Sequence, residues 1–264
     1  MAKLSPDFLM VTRIGFAARG LLYLIIGYLA LQLGKAEDAG GALGFVRDEA
    51  GGLVLGLLAL GFVAYGIWRV ADAAFDTQNK GNDAKGIAGR SAGAVSGLIH
   101  LGLAFTAAKL ALGGGSGKDS SDSAESGAAT AMSLPGGEIL LYLAAAILVV
   151  AGGAQLVVAA KRSFCKHISP EARNRWWVIA AGIGGHAARG IIFLSAAWLV
   201  FNATRHHQAE EAGALGDALT SLPDSLRAAV AAGLCLFGIY SLIEARYRNL
   251  PDPHVKHRVA DALT

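Results

Sequence analysis

Six stretches of about 20 mainly apolar residues constrain this chain more than any other feature of it. They lie near 11–33, 51–74, 89–112, 137–160, 177–201 and 227–247. A helix needs about 20 such residues to cross a hydrocarbon core roughly 30 Å thick. The composition agrees: the 264 residues are 54% apolar and 16% charged, whereas a soluble domain is about 25% charged. The six prolines fall at run ends and in loops, where a missing amide donor does no harm. Ser5-Pro6-Asp7 reads as an N-cap, a proline at N1 and a first-turn acid, which predicts a helix from the start of the chain. A cleaved signal peptide would need a shorter apolar run and a small-residue cleavage site, but here the run continues into Gly27 and Tyr28.

The basic residues predict an orientation. Lys3, Arg13, Lys80, Lys85, Arg90, Lys161, Arg162, Lys166, Arg173, Arg175, Arg246, Arg248, Lys256 and Arg258 fall on one side of a six-span layout. Only Lys35, Arg47, Lys118, Arg205 and Arg227 fall on the other, where Glu37, Asp38, Asp48, Glu49, Glu210 and Glu211 gather. Lys and Arg in short loops mark the cytoplasmic side. The expected location is therefore the bacterial inner membrane, multi-pass, with both termini cytoplasmic. The basic loops carry no interleaved aromatics and no nucleic-acid motif.

The chain repeats itself. FAARGLLY from Phe16 returns as HAARGIIF from His186, and more faintly as GAVSGLIH from Gly93. GFVAYGIWRVAD from Gly61 returns as GLCLFGIYSLIE from Gly233. Between the paired spans stand GALGFV from Gly41, GAATAMSLPGG from Gly127 and GALGDALTSLPD from Gly213, each read as a short turn of helix before a break. The unit is a helix, an outer loop, a second helix and an inner loop. An even number of spans per unit leaves all three units in one orientation, related by an axis along the membrane normal. The expected fold is an all-α integral membrane protein of six transmembrane helices, arranged as three parallel helical-hairpin repeats with pseudo-threefold symmetry. Repeat 1 covers about 11–76, repeat 2 about 86–164 and repeat 3 about 176–248. The Gly/Ser/Asp-rich 113–127 reads as a flexible outer linker, and 249–264 as a cytoplasmic tail.

Arg13-Ile-Gly-Phe-Ala-Ala-Arg-Gly20 and Gly52-Leu-Val-Leu-Gly-Leu-Leu-Ala-Leu-Gly-Phe-Val-Ala-Tyr-Gly-Ile-Trp-Arg69 resemble the two helix signatures of a bacterial membrane-protein family, catalogued as domain of unknown function twelve hundred and six. That family has three tandem two-helix units, and the resemblance covers about 10 to 250. The middle unit departs most: Ser96 replaces the arginine, and Gln155 stands about where Trp68 does. The resemblance implies a fold and no activity.

An arginine recurs inside an apolar run at Arg19 and Arg189. At a helix centre it costs about 2.5–3.5 kcal/mol on insertion scales, so it should snorkel or pair. The even spans offer acids at equivalent positions, Asp72 and Glu244. Where Ser96 replaces the arginine, the acid becomes one of Val157, Val158 or Ala159. Charges present together twice and absent together once predict within-hairpin pairs, Arg19–Asp72 and Arg189–Glu244. Helical phase groups Phe16, Arg19 and Tyr23 with their equivalents Gly93, Ser96 and His100, and His186, Arg189 and Phe193. Tyr23, His100 and His186 thus become candidate polar or aromatic lining. Tyr28, Phe105 and Trp198, followed by Gln32, Lys109 and Asn202, form either an interfacial aromatic belt or the mouth of a pathway.

Reactive chemistry is thinly represented. No metalloprotease, P-loop, dinucleotide or nucleophile-elbow pattern occurs. His100 and His186 fall about 10 Å apart in level, whereas two axial ligands must meet at one haem iron. Cys165 and Cys235 suggest neither a disulfide framework nor a metal site. The expectation is a non-enzymatic membrane protein with no cofactor and no metal, acting as a scaffold, an accessory subunit or a lipid-binding protein. Its expected partners are membrane lipids and, for an accessory subunit, another membrane protein; nucleic acid is not among them. The alternative is a channel or transporter with its pathway along the pseudo-threefold axis.

Overall fold

The computed structural model describes residues 6–32, 37–78, 80–115, 119–213 and 215–249. Ser5 and the tail beyond 249 lie outside them. The described chain runs α1 (Pro6–Gln32), α2 (Ala39–Phe75), α3 (Ala84–Ala111), α4 (Asp119–Ser133), α5 (Gly137–Lys161), α6 (Pro170–Arg173), α7 (Trp176–His206), α8 (Leu215–Thr220) and α9 (Asp224–Tyr247). α1, α2, α3, α5, α7 and α9 are long and apolar enough to cross a membrane. The molecule is thus a six-span, all-α protein built of three repeated hairpins.

Each repeat also holds an outer helix. In the first it is fused to the span: α2 starts at Asp38, whose carboxylate accepts from the Gly41 amide at 2.9 Å, and turns at Gly51. Gly51 has φ +80°, a left-handed backbone that a Cβ disfavours. In the second and third repeats the outer helices are α4 and α8. The 113–127 stretch is therefore helical from Asp119 onward, where the sequence suggested a flexible linker. Ala128 on α4 is buried against Ala203 and Ala212, and such packing stabilises a short helix that composition alone would not.

The spans form an open ring, packed in the order α3, α2, α1, α9, α7, α5, and the junctions between repeats follow one rule. At α9/α1, a Cβ on Gly20 would lie 2.9 Å from the Gly238 carbonyl oxygen, and one on Gly238 would lie 2.8 Å from that of Gly20. At α2/α3 the reciprocal pair is Gly97 and Gly66, at 2.9 and 3.0 Å. At α5/α7 it is Gly190 and Gly152, at 3.0 and 2.9 Å. Such paired glycines let two backbones approach closely in a membrane. The glycines aligned in the sequence thus mark the three crossings. They also fix the register of the even spans: Gly66, Gly152 and Gly238 are equivalent, so Gln155 matches Arg69 and not Trp68.

On the side bearing the outer helices the interior is packed and apolar. Leu43 and Val46 from the outer part of α2 and Leu219 from α8 are buried with Leu22, Ile26, Leu29, Leu110, Ile192 and Leu234. The opposite side, which carries most of the basic residues, is where the polar groups of the spans collect. We call the two sides the acidic and the basic side.

Candidate functional site

α1 and α9 cross at Gly20 and Gly238, so Arg19 points at the last turns of α9. Side chains on a helix lean toward its N-terminus, which for α1 is the basic side. Arg19 Nη2 donates to Glu244 Oε2 at 2.5 Å, Nε to Ser241 Oγ at 3.1 Å and Nη1 to Tyr65 Oη at 2.6 Å. The guanidinium also packs on the rings of Phe16, Tyr65 and Phe237, 4.8–5.1 Å from their centroids. Arg19 and Glu244 are only 7% and 5% exposed. Glu244 has a second partner in Arg248, whose other arm donates to Gln78 Oε1 at 3.0 Å.

Neither sequence-expected pair forms. Arg19 reaches Glu244 of the third repeat, across the junction, and not Asp72 of its own hairpin. The reason is geometric: the glycine crossing brings α1 closer to α9 than the hairpin turn brings it to the end of α2. Asp72, fully buried, accepts instead from Thr77 Oγ1 (2.6 Å), Gln78 Nε2 (2.7 Å) and Lys80 Nζ (2.7 Å). These donors lie just past its own helix, so the acid ties down the turn that leads into α3.

Arg189, expected to meet Glu244, makes no ion pair among the described residues. Its guanidinium lies over Phe237 at 4.5 Å, Phe193 at 5.2 Å and Tyr23 at 5.6 Å. Its Nε is buried without an acceptor. A second arginine in the same condition escaped the sequence reading. Arg69 lies over Trp68 at 5.5 Å and Tyr65 at 6.0 Å, and its Nε is likewise buried and unpartnered. Arg19 and Arg69 share the Tyr65 ring, and Arg19 and Arg189 share the Phe237 ring, so the three guanidinium groups form one cluster.

The repeat explains where these arginines stand. The junction register aligns Arg69, Gln155 and Ser241 on the even spans, and Arg19, Ser96 and Arg189 on the odd ones. The α9/α1 junction therefore has Ser241 with Arg19, α2/α3 has Arg69 with Ser96, and α5/α7 has Gln155 with Arg189. Every junction holds one arginine, and at α2/α3 it has moved to the opposite helix. Only the first of the three is neutralised by a carboxylate among the described residues.

A histidine stands beside each of the other two. His100 packs against Tyr65, with centroids 4.4 Å apart, and its Nδ1 donates to the Ser96 carbonyl at 2.7 Å. His186 packs against Phe237 at 5.6 Å, and its Nδ1 donates to Gln155 Oε1 at 2.6 Å. Each ring uses Nδ1 as donor, which leaves Nε2 as an acceptor. Both Nε2 atoms are buried without a partner. Tyr23, half-buried, lies between Arg189 and Phe237.

The remaining candidates lie elsewhere. Gln32 and Lys109 are exposed and Asn202 is half-buried. Tyr28, Phe105 and Trp198 are 48%, 73% and 60% exposed on the outside of the ring. On the same side Leu43, Val46 and Leu219 are buried together in the apolar core. The outward placement of the three aromatics suits a belt at the membrane surface. Among the described residues no cluster of His, Cys, Asp or Glu could hold a metal ion.

Three tandem hairpins, glycine-crossed junctions and an arginine at each junction define a class of six-span, triple-repeat membrane proteins. The chain belongs to the family described as Domain of Unknown Function (DUF1206), whose model matches residues 14–76, 92–162 and 184–248. It is also similar to "Uncharacterized protein YxxB" of Bacillus subtilis (strain 168), at 26% identity over 251 residues, covering 90% of each chain. No solved structure matches it.

Proposed function

We propose that the protein is a non-catalytic, lipid-binding protein of the bacterial inner membrane, with both termini cytoplasmic, and that Arg69 and Arg189 hold an anionic headgroup. One observation carries this reading: both guanidinium groups sit within spans, and neither meets a carboxylate among the described residues. Intramembrane charges pair with one another or mark a ligand or ion path. The packed acidic half speaks against a through-pathway, so a bound ligand explains the unpaired charges better than transport along the axis. Arginine suits the task because its planar fork binds phosphate oxygens in bidentate fashion. His100 Nε2 and His186 Nε2 add acceptors, so a headgroup that joins a phosphate to hydroxyl donors, such as phosphatidylglycerol, matches the set.

The test is native mass spectrometry of the protein purified from nanodiscs containing equal amounts of phosphatidylglycerol and phosphatidylcholine with matched chains. The wild type should retain phosphatidylglycerol, and Arg69→Gln with Arg189→Gln should weaken retention at least tenfold. That follows from losing hydrogen bonds to a charged group worth about 1.5–3 kcal/mol each. Equal retention of the two lipids by the wild type, or unchanged retention by the double variant, would overturn the proposal.

A further inference from the structure

The three hairpins do not close alike. In the first, α1 packs on α2 where a Cβ on Gly15 would lie 2.7 Å from the Tyr65 amide nitrogen, and one on Gly61 would lie 2.4 Å from Ala18 Cβ. The third repeats this contact, with Gly185 against Phe237 at 2.6 Å and Gly233 against Ala188 Cβ at 2.5 Å. Two glycines and an alanine per hairpin thus set the approach. In the middle hairpin the same positions, read from the junction glycines, hold Ala92, Val95, Ile147 and Ala151. Val95 replaces the alanine and Ile147 the glycine of the even span, so the two helices cannot approach as their counterparts do. No packing comparable to the other hairpins joins α3 to α5. Val95 and Ile147 are 57% and 59% exposed. The ring of six spans is open between α3 and α5.

The opening has neighbours of a particular kind. The junctions on either side of it are α2/α3 and α5/α7, which carry Arg69 and Arg189. The neutralised arginine, Arg19, belongs to the α9/α1 junction opposite. The two arginines without a carboxylate therefore stem from the helix pairs on either side of the unclosed boundary, and their guanidinium groups point into the interior, Arg69 onto Trp68 and Tyr65 and Arg189 onto Phe237, Phe193 and Tyr23; each has a histidine with a free acceptor beside it. An anion bound in that interior would face the loosely packed α3/α5 boundary, whose exposed residues Val95 and Ile147 are apolar. A phospholipid has that shape and charge: a phosphate at one end and acyl chains at the other. A partner helix would cover the apolar boundary but would leave the two guanidinium groups unmatched.

We propose that the space between α3 and α5 is a lateral portal. The acyl chains of an anionic phospholipid pass through it while the phosphate rests on Arg69 and Arg189. This rests on the headgroup site proposed above and adds the route by which the lipid reaches it.

The test places a photo-crosslinking phenylalanine analogue at Ile147 in the full chain, in nanodiscs with a minor fraction of phosphatidylglycerol in phosphatidylcholine. A control carries it at Leu57, an exposed residue of α2 (61%). At Ile147 the adducts should be enriched in phosphatidylglycerol at least fivefold over its mole fraction. The enrichment should vanish with Arg69→Gln and Arg189→Gln and return with Arg69→Lys and Arg189→Lys, which restores charge and excludes misfolding as the cause. Adducts at Leu57 should follow the bulk composition throughout. If Ile147 adducts follow bulk composition while native mass spectrometry still shows arginine-dependent retention, the portal is wrong and the headgroup site stands. If retention itself does not depend on the arginines, the site is wrong as well. Adducts to a second copy or to another protein would make the opening a protein interface and overturn the portal.

Discussion

Glu244→Gln should be among the most destabilising single substitutions of a polar residue in this protein, and the structure says why. The carboxylate is 5% exposed and neutralises two guanidinium groups, Arg19 and Arg248. Glutamine keeps the shape and removes the charge, so two cations are left facing each other away from water. Breaking a buried pair costs about 3–5 kcal/mol. For a protein of this length that corresponds to a fall in Tm of about 6–20 °C, at 2–4 °C per kcal/mol. Arg19→Met is milder, because Glu244 keeps Arg248. It loses hydrogen bonds to Ser241 and Tyr65, at about 0.5–1.5 kcal/mol each, and some ring contact.

The double variant removes one charge of each sign and leaves Arg248 as the remaining former partner of Glu244. Arg19→Met and Glu244→Gln should therefore couple by about 1–3 kcal/mol, the range seen for residues in one network. Equilibrium unfolding in mixed micelles measures all four corners of the cycle. A further cycle serves as a control. Arg19→Met with Asp72→Asn should be additive within about 0.5 kcal/mol. Stronger coupling of Arg19 to Asp72 than to Glu244 would refute the cross-junction pairing and restore the within-hairpin one.

Two other outcomes follow from the structure. Asp38 is buried, and burial raises its pKa despite the hydrogen bond from the Gly41 amide. A carboxyl whose folded pKa exceeds its unfolded value loses stability as pH rises through the two. Asp38→Asn, which keeps the cap, should then match or exceed the wild-type Tm at pH 7 and lose that advantage near pH 4. Asp38→Ala should cost about 1 kcal/mol, and a lower Tm for the asparagine variant at pH 7 counts against the reasoning. For topology, single cysteines at Lys166 and Glu210, both exposed, in a Cys165→Ala, Cys235→Ala background decide the orientation. An impermeant maleimide added to intact cells should label position 210 and spare position 166, and the reverse pattern would invert the layout.

Much of the fold could be read from the sequence because its signals are local or repeated. Span length is a property of consecutive residues, and a repeat multiplies a weak signal by three. Gly20, Gly97 and Gly190 could be aligned without knowing what they touch, and each lies at a crossing. The partners of the charges were not legible for the opposite reason. Asp72 and Glu244 occupy equivalent positions, yet one bonds to the turn after its own helix and the other across a junction to the far end of the chain. Which neighbour a helix face meets depends on the order of the ring, and periodicity does not carry that. Arg69 was hidden by a register error of one residue, since placing Gln155 on Trp68 conceals its equivalence to Arg69. Aligning Gly66 with Gly152 and Gly238 would have exposed it.

The departures from symmetry also fall together. A strict triple repeat would close the ring three times over and give every junction the same charge. Here the middle unit exchanges arginine for Ser96, and Arg69 on the facing helix restores a guanidinium to that junction. The acid position becomes Val158, and the small residues of hairpin closure become Val95 and Ile147. These changes accompany the loss of close packing between α3 and α5, and an arginine without a carboxylate stands at each of the two neighbouring junctions. Intramembrane charge is costly, and the anionic headgroup proposed above would neutralise the two arginines that meet no carboxylate among the described residues. The first and third repeats are joined by tight hairpins and by the Arg19–Glu244 bond across their junction. The middle repeat, the least like the others in sequence, is where a ligand from the bilayer would act.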